Sequence, residues 1–382
     1  HVYDMQGRKI HQQKITDETT QNSTNYTLYE TQNLTGTTGA SVTPSRKSYT
    51  GFTAPTGQTV TIASDGSTEV NYYYTRNKYT VTLNKGTGIA SVSGGGSYKY
   101  GATVTINATI SSGYAWSKWT GTHNTTTQKY SFTMPASAVT DTANAVVSEI
   151  AQAIYTSSDG ALTFVKSSTQ YKAGGTYNGK TITTVYTGFE TTSYSHYTYI
   201  PWYSNASNIT KVTFVDEIKP ISTAYWFFDF KNCATFDVAN LNTSNATSLQ
   251  DMFFNAGWNV TSFKISGMED WDTSKVTNMM EVFRQTGYES SSYDIGDISK
   301  WDTSKVTTTR LMFRSAAVSA STFNIGNLKD WDVSNVTTME CMFEGAGSSA
   351  TTFYIGDLSI WNVSKVTNMS ALFSGAGYSA KT

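Results

Sequence analysis

Four stretches decide how this chain reads: WDTSKVTNMMEVF at 271–283, WDTSKVTTTRLMF at 301–313, WDVSNVTTMECMF at 331–343 and WNVSKVTNMSALF at 361–373. Each begins 30 residues after the one before, so Trp271, Trp301, Trp331 and Trp361 share one register. Val276, Val306, Val336 and Val366 share a second, and Phe283, Phe313, Phe343 and Phe373 a third. The common pattern is W-[DN]-x-S-x-V-T-x-x-x-x-x-F. Upstream of each Trp runs another set, Phe263, Tyr293, Phe323 and Phe353, followed by Ile265, Ile295, Ile325 and Ile355. A degenerate earlier copy puts Leu241 in the Trp position and Phe253 in the Phe position. A constant step across this many positions means one supersecondary unit stacked on copies of itself.

Each unit divides into two periods. Phe353 and Ile355 alternate as in a short strand. From Val366 the apolar residues Met369, Leu372, Phe373 and Ala376 fall on one face of a helix of about two turns. Thr367 is then the expected N-cap, and Gly375 and Gly377 the stops. Stacked copies bring like side chains together, so the Trp and Phe registers become columns of a continuous core. A buried Trp removes roughly 200 Å² from water, worth a few kcal/mol gross at about 25 cal/mol per Å².

The polar positions follow from the same stacking. Asp272, Asp302 and Asp332 would form a like-charge column unless each carboxylate is used locally. Asp-x-Ser suits an Asx turn, in which the carboxylate accepts a backbone N–H two residues on. Asn362 does this without charge, and Lys275, Lys305 and Lys365 soften the repulsion. A calcium ladder is the alternative, weakened because one rung is Asn and no second carboxylate recurs beside it. Ser274, Ser304, Ser334 and Ser364 recur at every rung, which suits turn hydroxyls and not a nucleophile.

Outward from the repeat, composition sets the partner class. The chain has 382 residues, Lys+Arg 27 against Asp+Glu 28, and only 14% charged residues. That balance supplies no basic field for phosphate backbones, so nucleic acid is excluded as a partner. The 25 Tyr against 5 Pro, with abundant Thr, fit β-structure, and 14% aromatics argue against disorder. Cys233 and Cys341 are far apart and imply neither a disulfide framework nor a zinc site. No apolar run reaches the length of a membrane span. Residue 1 is His, and the sequence stops at Thr382, short of a full step after Trp361. The expectation is therefore a piece of a longer protein whose last unit is incomplete. Either the chain continues or another protomer or domain covers that end.

The four histidines, His1, His11, His123 and His196, have no metal-ligand or catalytic spacing, and no G-x-S-x-G elbow occurs. His196 lies in SYSHYTYIPWY and reads as a polar residue on a β-segment crowded with aromatics. A stacked repeat also lacks the deep pocket that most chemistry needs. The expectation is therefore no enzyme, no cofactor and no metal.

The four quoted stretches resemble the BspA-like repeat of bacterial surface proteins, also common in mycoplasma lipoproteins. The pattern departs at Arg310 and Leu311, where the first Met of the M-x-x-M-F run is absent. The resemblance implies a leucine-rich-repeat-like α/β solenoid over 147–382. Its lead-in and cap would occupy 147–235, with AIYTSSDGALTF a hairpin around Asp159-Gly160, and the repeats 236–382. YTVTLNKGTGIASVSGGGSYKYGATVTINATISSGYAWSKWTGT, ending in FTMPASAVT, is similar to InlB B-repeat-like domains and places an all-β domain at 78–146. Trp116 and Trp119 belong to that pattern and read as core and edge packing. NYTLYETQNLTGTTGASVTPSRKSYTGFTAP and TVTIASDGSTEVNYYYTRN resemble MucBP-like (mucin-binding-type) domains, giving a first β-domain at 1–77. There, Val60 and Ile62, a turn at Asp65-Gly66, and Val70, Tyr72 and Tyr74 predict a hairpin. Residues 1–13 fit less well and read as an altered first strand or a remnant of a preceding domain. Both small domains are expected to be β-grasp-like.

The resemblances imply a non-enzymatic, adhesin-type ectodomain on the bacterial cell surface, anchored by sequence outside this chain, with a Gram-positive character. Its partner would be a host or microbial surface protein or glycan. The position after the repeat's Phe varies as Trp258, Tyr288, Val318, Ser348 and Tyr378 while the core columns do not. Trp258, Tyr288 and Tyr378, with Tyr197, Tyr199 and Trp202 of the lead-in, are the candidate ligand contacts. Two other functions fit: a structural stalk, or a carbohydrate-binding region of a larger polysaccharide-active protein. Lys–Asn isopeptide crosslinks have no locatable triad of residues in the sequence.

Overall fold

The structure, a computed structural model, describes residues 12–16 and 26–381. It is nearly all β, with several sheets and a few short 3₁₀ turns, and no α-helix occurs among the described residues. The chain divides into two compact units between Ser148 and Glu149.

The first unit holds two sets of sheets. In the first set, Tyr26–Glu30, Gln12–Thr16, Asn71–Arg76 and Phe52–Thr53 lie side by side in that order. The turn at Asp65-Gly66 is present, with Asp65 accepting the Ser67 N–H at 3.0 Å. The predicted hairpin across it is not. Val60–Thr61 pairs with Ser41–Val42, while Asn71–Arg76 pairs with Gln12–Thr16 and Phe52–Thr53. The buried hydroxyl ends explain the separation: Tyr72 donates to the Pro44 carbonyl at 2.8 Å and Tyr74 to that of Lys47 at 2.7 Å. These bonds tie the tyrosine strand to 44–47 and not to the strand before it. The reading of residues 1–11 lies outside the described residues.

The second set joins a four-stranded sheet, Tyr114–Gly121, Val139–Val147, Lys78–Lys85 and Gly96–Lys99, to a three-stranded one, Tyr130–Thr133, Thr103–Ile110 and Ile89–Ser93. The alternating residues Val81, Val104, Ile106 and Ala108 are buried in one cluster with Trp119. Trp119 is fully buried and donates to the Gln128 carbonyl, and Trp116 packs edge-on against it at 5.5 Å. Both indoles are therefore packing residues, as their place in the B-repeat-like pattern implied. No α-helix crosses either sheet among the described residues, so the all-β character holds; in each four-stranded sheet the first and last strands of the domain pair in parallel at the centre, with antiparallel strands on either side.

The second unit begins with the hairpin Ile150–Thr156 and Ala161–Ser167, which turns at Asp159-Gly160 as read from the sequence. Asp159 accepts from Thr156 at 2.6 Å and pairs with Lys180 and Lys211. The sheet then changes direction. Lys211–Phe214, Thr235–Asp237, Ser262–Ser266 and Ser292–Asp294 add in parallel, and Thr322–Asn324 pairs in parallel with Thr352–Tyr354. On the other side of each rung, single bridges link Ser248, Asn278, Thr308, Thr338 and Asn368.

The aromatic registers form columns. Trp271 and Trp301 stack at 5.7 Å, and Trp301 and Trp331 at 6.4 Å. Along Phe253, Phe283, Phe313, Phe343 and Phe373 the steps are 5.7, 5.2, 5.4 and 5.4 Å. Along Phe263, Tyr293, Phe323 and Phe353 they are 5.6, 5.9 and 5.1 Å. The Asx turns are also as predicted: Asp272, Asp302, Asp332 and Asn362 accept the N–H of Ser274, Ser304, Ser334 and Ser364 at 2.9–3.2 Å. The serine bonds hold the Asp272 and Asp332 carboxyls below the usual range. Lys275 and Lys365 reach the side-chain oxygens of Asn245 and Asn335 one rung back.

The expected helix is overturned, and the reason is geometric. Strands stack about 4.8 Å apart, whereas packed helices need roughly 8–10 Å between axes. The Phe column beside the segment keeps a step of 5.2 to 5.7 Å, which leaves no room for a helix per rung. The segment instead runs as overlapping turns. Alternate N–H groups, those of Met279, Glu281, Phe283 and Gln285, donate to carbonyls of the next rung, while the Arg284 N–H closes a turn on the Glu281 carbonyl and the Met280 N–H donates to the Asn278 side chain. The same residues are buried as on the imagined helix face: Val276, Met279, Val282 and Phe283. Thr367 is not an N-cap; its hydroxyl and N–H both donate to the Thr337 carbonyl, and Thr277, Thr307 and Thr337 repeat this on the rungs before. Gly257, Gly287, Gly347 and Gly377 adopt φ of +52° to +64°, and an ideal Cβ on Gly257 would sit 2.0 Å from the Phe263 ring. At these positions glycine is needed twice, for the left-handed backbone and for the ring beside it.

The missing methionine of the 301–313 stretch falls at Thr309, in the register of Met279, Met339 and Met369, and not at Arg310 and Leu311 as first read. Thr309 is buried and its hydroxyl has no partner. Thr309→Val keeps the shape and removes the unbonded hydroxyl, so it should raise stability by about 1–2 kcal/mol. A higher urea midpoint with unchanged slope is the expected reading; a lower one would show that the hydroxyl is bonded in solution.

Candidate binding face on the turn ribbon

The overlapping turns have an inner side, which holds the Phe column, and an outer side free of core duties. On the outer side the register of Phe254 runs Phe254, Arg284, Arg314, Glu344, and that of Trp258 runs Trp258, Tyr288, Val318, Ser348, Tyr378. Trp258 and Tyr288 stack face to face, 4.2 Å apart with 5° between their planes. Both residues are only partly buried. Tyr378 stands three rungs beyond Tyr288, separated from it by Val318 and Ser348, and is 85% exposed.

The lead-in supplies a second aromatic run. Tyr197 stacks on Phe228 at 4.3 Å, Phe228 on Phe254 at 4.5 Å, and the Arg284 guanidinium lies 5.0 Å over the Phe254 ring. Offset stacking and the ring quadrupole favour each contact by roughly 0.5–1.5 kcal/mol. Tyr199 is 65% exposed, on the 3₁₀ turn Tyr197–Tyr199. This turn replaces the β-segment expected around His196. The His196 side chain accepts the Thr198 N–H and pairs with its hydroxyl at 2.9 Å, so it caps the turn. Trp202 does not belong to a binding face. It is fully buried, donates to the Trp226 carbonyl at 2.6 Å and packs edge-on against Phe164, Phe189 and Trp226. Its neighbours in sequence are surface tyrosines, but its ring belongs to the core where the hairpin meets the first rung.

The Phe254 register continues along the rungs into a charged patch. Arg284 pairs with Glu281 at 2.7 Å, Arg310 with Glu340 at 2.8 Å and Glu281 at 3.6 Å, and Arg314 with Glu344 at 2.9 Å. The Arg310–Glu340 and Arg314–Glu344 pairs are partly exposed and worth little to stability, whereas Glu281 is buried under its arginines. Beneath them Asp251 and Glu281, one rung apart, are both buried. Burial first and the neighbouring Glu281 second push the Asp251 carboxyl up to about 7, against the pull of Gln250 and Arg284. Tyr225 beside them is raised as well, mainly by burial.

Sequence reasoning singled out Trp258, Tyr288 and Tyr378 because their register varies. It did not single out Phe228, Phe254 and Arg284, although the 254, 284, 314 and 344 register varies in the same way. The repeat-core residues Trp271, Trp301, Trp331, Trp361, Phe283, Phe313, Phe343 and Phe373 all lie in the columns assigned to them, the last copy being the most exposed. Among the described residues no three His, Cys, Asp or Glu side chains are grouped to hold a metal ion, and no helix is long and apolar enough to cross a membrane.

Comparison with known families gives two matches. Residues 222–346 and 287–381 match the family described as Mycoplasma protein of unknown function, DUF285. Residues 79–144 match the divergent InlB B-repeat domain. Neither match reaches residues 8–77. No curated protein and no solved structure matches the chain. The two families mark a bacterial surface-protein repeat region.

Proposed function

We propose that this chain is a non-catalytic, extracellular capture region of a bacterial surface protein, in which the 30-residue rungs build a solenoid and its outer turn face binds a surface protein or glycan. The observation that carries this reading is the contrast between registers. The Phe column keeps its chemistry from Phe253 onward and the Trp column from Trp271 onward, while the outward registers of residues 254 and 258 change and hold large aromatics and arginines. Tyr, Trp and Arg are the residues that most often dominate contact energy at interfaces. The β-domains of the first unit, including the mucin-binding-type candidate at 8–77, serve as spacers that carry this face outward.

The test is retention of the soluble chain on mucin, matrix proteins and glycan arrays. Trp258→Ala with Tyr288→Ala should abolish the retained fraction while lowering stability by only about 1 kcal/mol, the worth of one stacked pair. Retention unchanged in this double variant would remove the assignment of the face. Silence of the unaltered chain across all panels would leave the stalk reading in its place.

A further inference from the structure

Two carboxyl groups lie buried beneath the outer turn face with too few donors to keep both ionised. Asp251 and Glu281 share one register on adjacent rungs and are 6% and 9% exposed. Their carboxyl groups are in hydrogen-bond contact with each other. Glu281 is supplied with charge: Arg284 donates to its Oε2 at 2.7 Å, and Arg310 stands 3.6 Å from its Oε1. Asp251 receives only the neutral Gln250 amide, at 3.1 Å. Tyr225, one rung earlier, faces both carboxyls; its hydroxyl accepts from Gln250 at 2.7 Å, and burial, with the two carboxyl charges, keeps it protonated. Two ionised carboxylates are acceptors only, so a hydrogen bond between them needs a proton on one. Double ionisation of two buried acids in contact is also disfavoured by their like charge. The proton belongs on Asp251, whose carboxyl burial and the Glu281 charge push up to about 7.

The guanidinium that holds Glu281 also covers the outer face. Arg284 lies 5.0 Å over the Phe254 ring, at the end of the Tyr197, Phe228 and Phe254 stack. Its Nε is buried and has no hydrogen-bond partner. A buried donor left unpaired costs free energy, so it takes an acceptor when one is offered. The other arginines are committed: the Nε of Arg310 is held by Glu340 at 2.8 Å and that of Arg314 by Glu344 at 2.9 Å. Arg284 therefore joins the buried pair to the surface and has a donor to spare, and its charge already acts on Asp251.

We propose that Asp251 and Glu281 share one proton, and that its loss to solvent turns the Arg284 guanidinium off the Phe254 ring and into the pair, with Nε donating to the freed Asp251 carboxylate. The outer turn face then has two forms. In the protonated form a cation covers Phe254; in the deprotonated form the ring is bare and the cation is withdrawn. The consequence for capture rests on the function proposed above, but the switch itself needs no ligand. The test follows the arginine Nε–Hε resonances of the full chain by NMR from pH 5 to pH 9, with Arg284→Lys identifying the Arg284 signal. That signal should move downfield with one midpoint near 7, as its donor gains an acceptor, while those of Arg310 and Arg314 stay in place. In Asp251→Asn, whose amide donates to Glu281 as the protonated acid does, the Arg284 signal should keep its low-pH position throughout. An Arg284 signal that does not move across this range would overturn the switch, and so would one that moves alike in Asp251→Asn. Because the readout is the protein's own, failure of the outer face to retain any surface is a separate result and leaves this one standing.

Discussion

Phe313→Ala should destabilise the second unit by about 3–5 kcal/mol, the usual cost of removing a fully buried Phe. Phe313 stacks on Phe283 and Phe343 at 5.2 and 5.4 Å and meets the Phe323 ring edge-on. Its loss leaves a cavity with column neighbours above and below, and those neighbours are fixed by rung-to-rung hydrogen bonds and cannot collapse into it. Stability in a stacked repeat is close to a sum of rung and nearest-neighbour interface terms. The cut therefore falls between two interfaces at once, and rungs on either side should open together. Phe373→Ala supplies the comparison. Phe373 is 46% exposed and stacks on one neighbour, Phe343. Its removal should cost about 1 kcal/mol, as less apolar area is returned to water. Urea unfolding of the two variants, followed by near-ultraviolet circular dichroism, should separate them by about 2 kcal/mol or more. Equal losses would mean that the Phe column is not additive along the stack.

How much of this was legible from sequence depends on what a period records. The constant step recorded which side chains meet, so the Trp and Phe columns and the Asx turns were readable at the level of single residues. The step does not record the spacing between rungs. Val366, Met369, Leu372 and Phe373 fit a helix face and equally fit a ribbon of overlapping turns, since both bury residues three and four apart. Only the close separation of the stacked rings distinguishes the two, and that is a tertiary distance. Trp202 failed for a related reason: the polar, tyrosine-rich run around it spoke for a surface, while its ring was claimed by Phe164, Phe189 and Trp226 from other segments. The hairpin drawn through Asp65-Gly66 failed because alternation fixes which residues share a face but not which strand pairs with which.

Asp251→Asn should stabilise the protein at pH 8 and leave it nearly unchanged at pH 4. The Asp251 carboxyl is 6% exposed and faces Glu281, Arg284, Gln250 and Tyr225, with Arg310 reaching Glu281 from the next rung. Burial and the Glu281 charge raise it to about 7 in the folded chain, against 3.8 for a free aspartate. The folded state therefore holds this proton more tightly than the unfolded state. The sign follows: the group's contribution is fully present below about pH 4 and is lost as pH rises through about 7. Ionising it in place costs up to about 4 kcal/mol at the full difference between the two values, and Arg284 lies close enough to absorb part of any rearrangement. A gain of about 2 kcal/mol or more in Asp251→Asn at pH 8 is the expected reading, with the two proteins within about 0.5 kcal/mol at pH 4. Urea midpoints across this range measure it, and the variant's curve should be flatter by the amount that one proton contributes. Glu281→Gln tests the cause. It removes the like charge but also the 2.7 Å pair with Arg284, so it should flatten the profile while lowering stability at pH 5, where Asp251 is neutral. A variant and an unaltered chain that decline in parallel between pH 4 and 8 would place the titrating group elsewhere and leave Asp251 ionised within the fold.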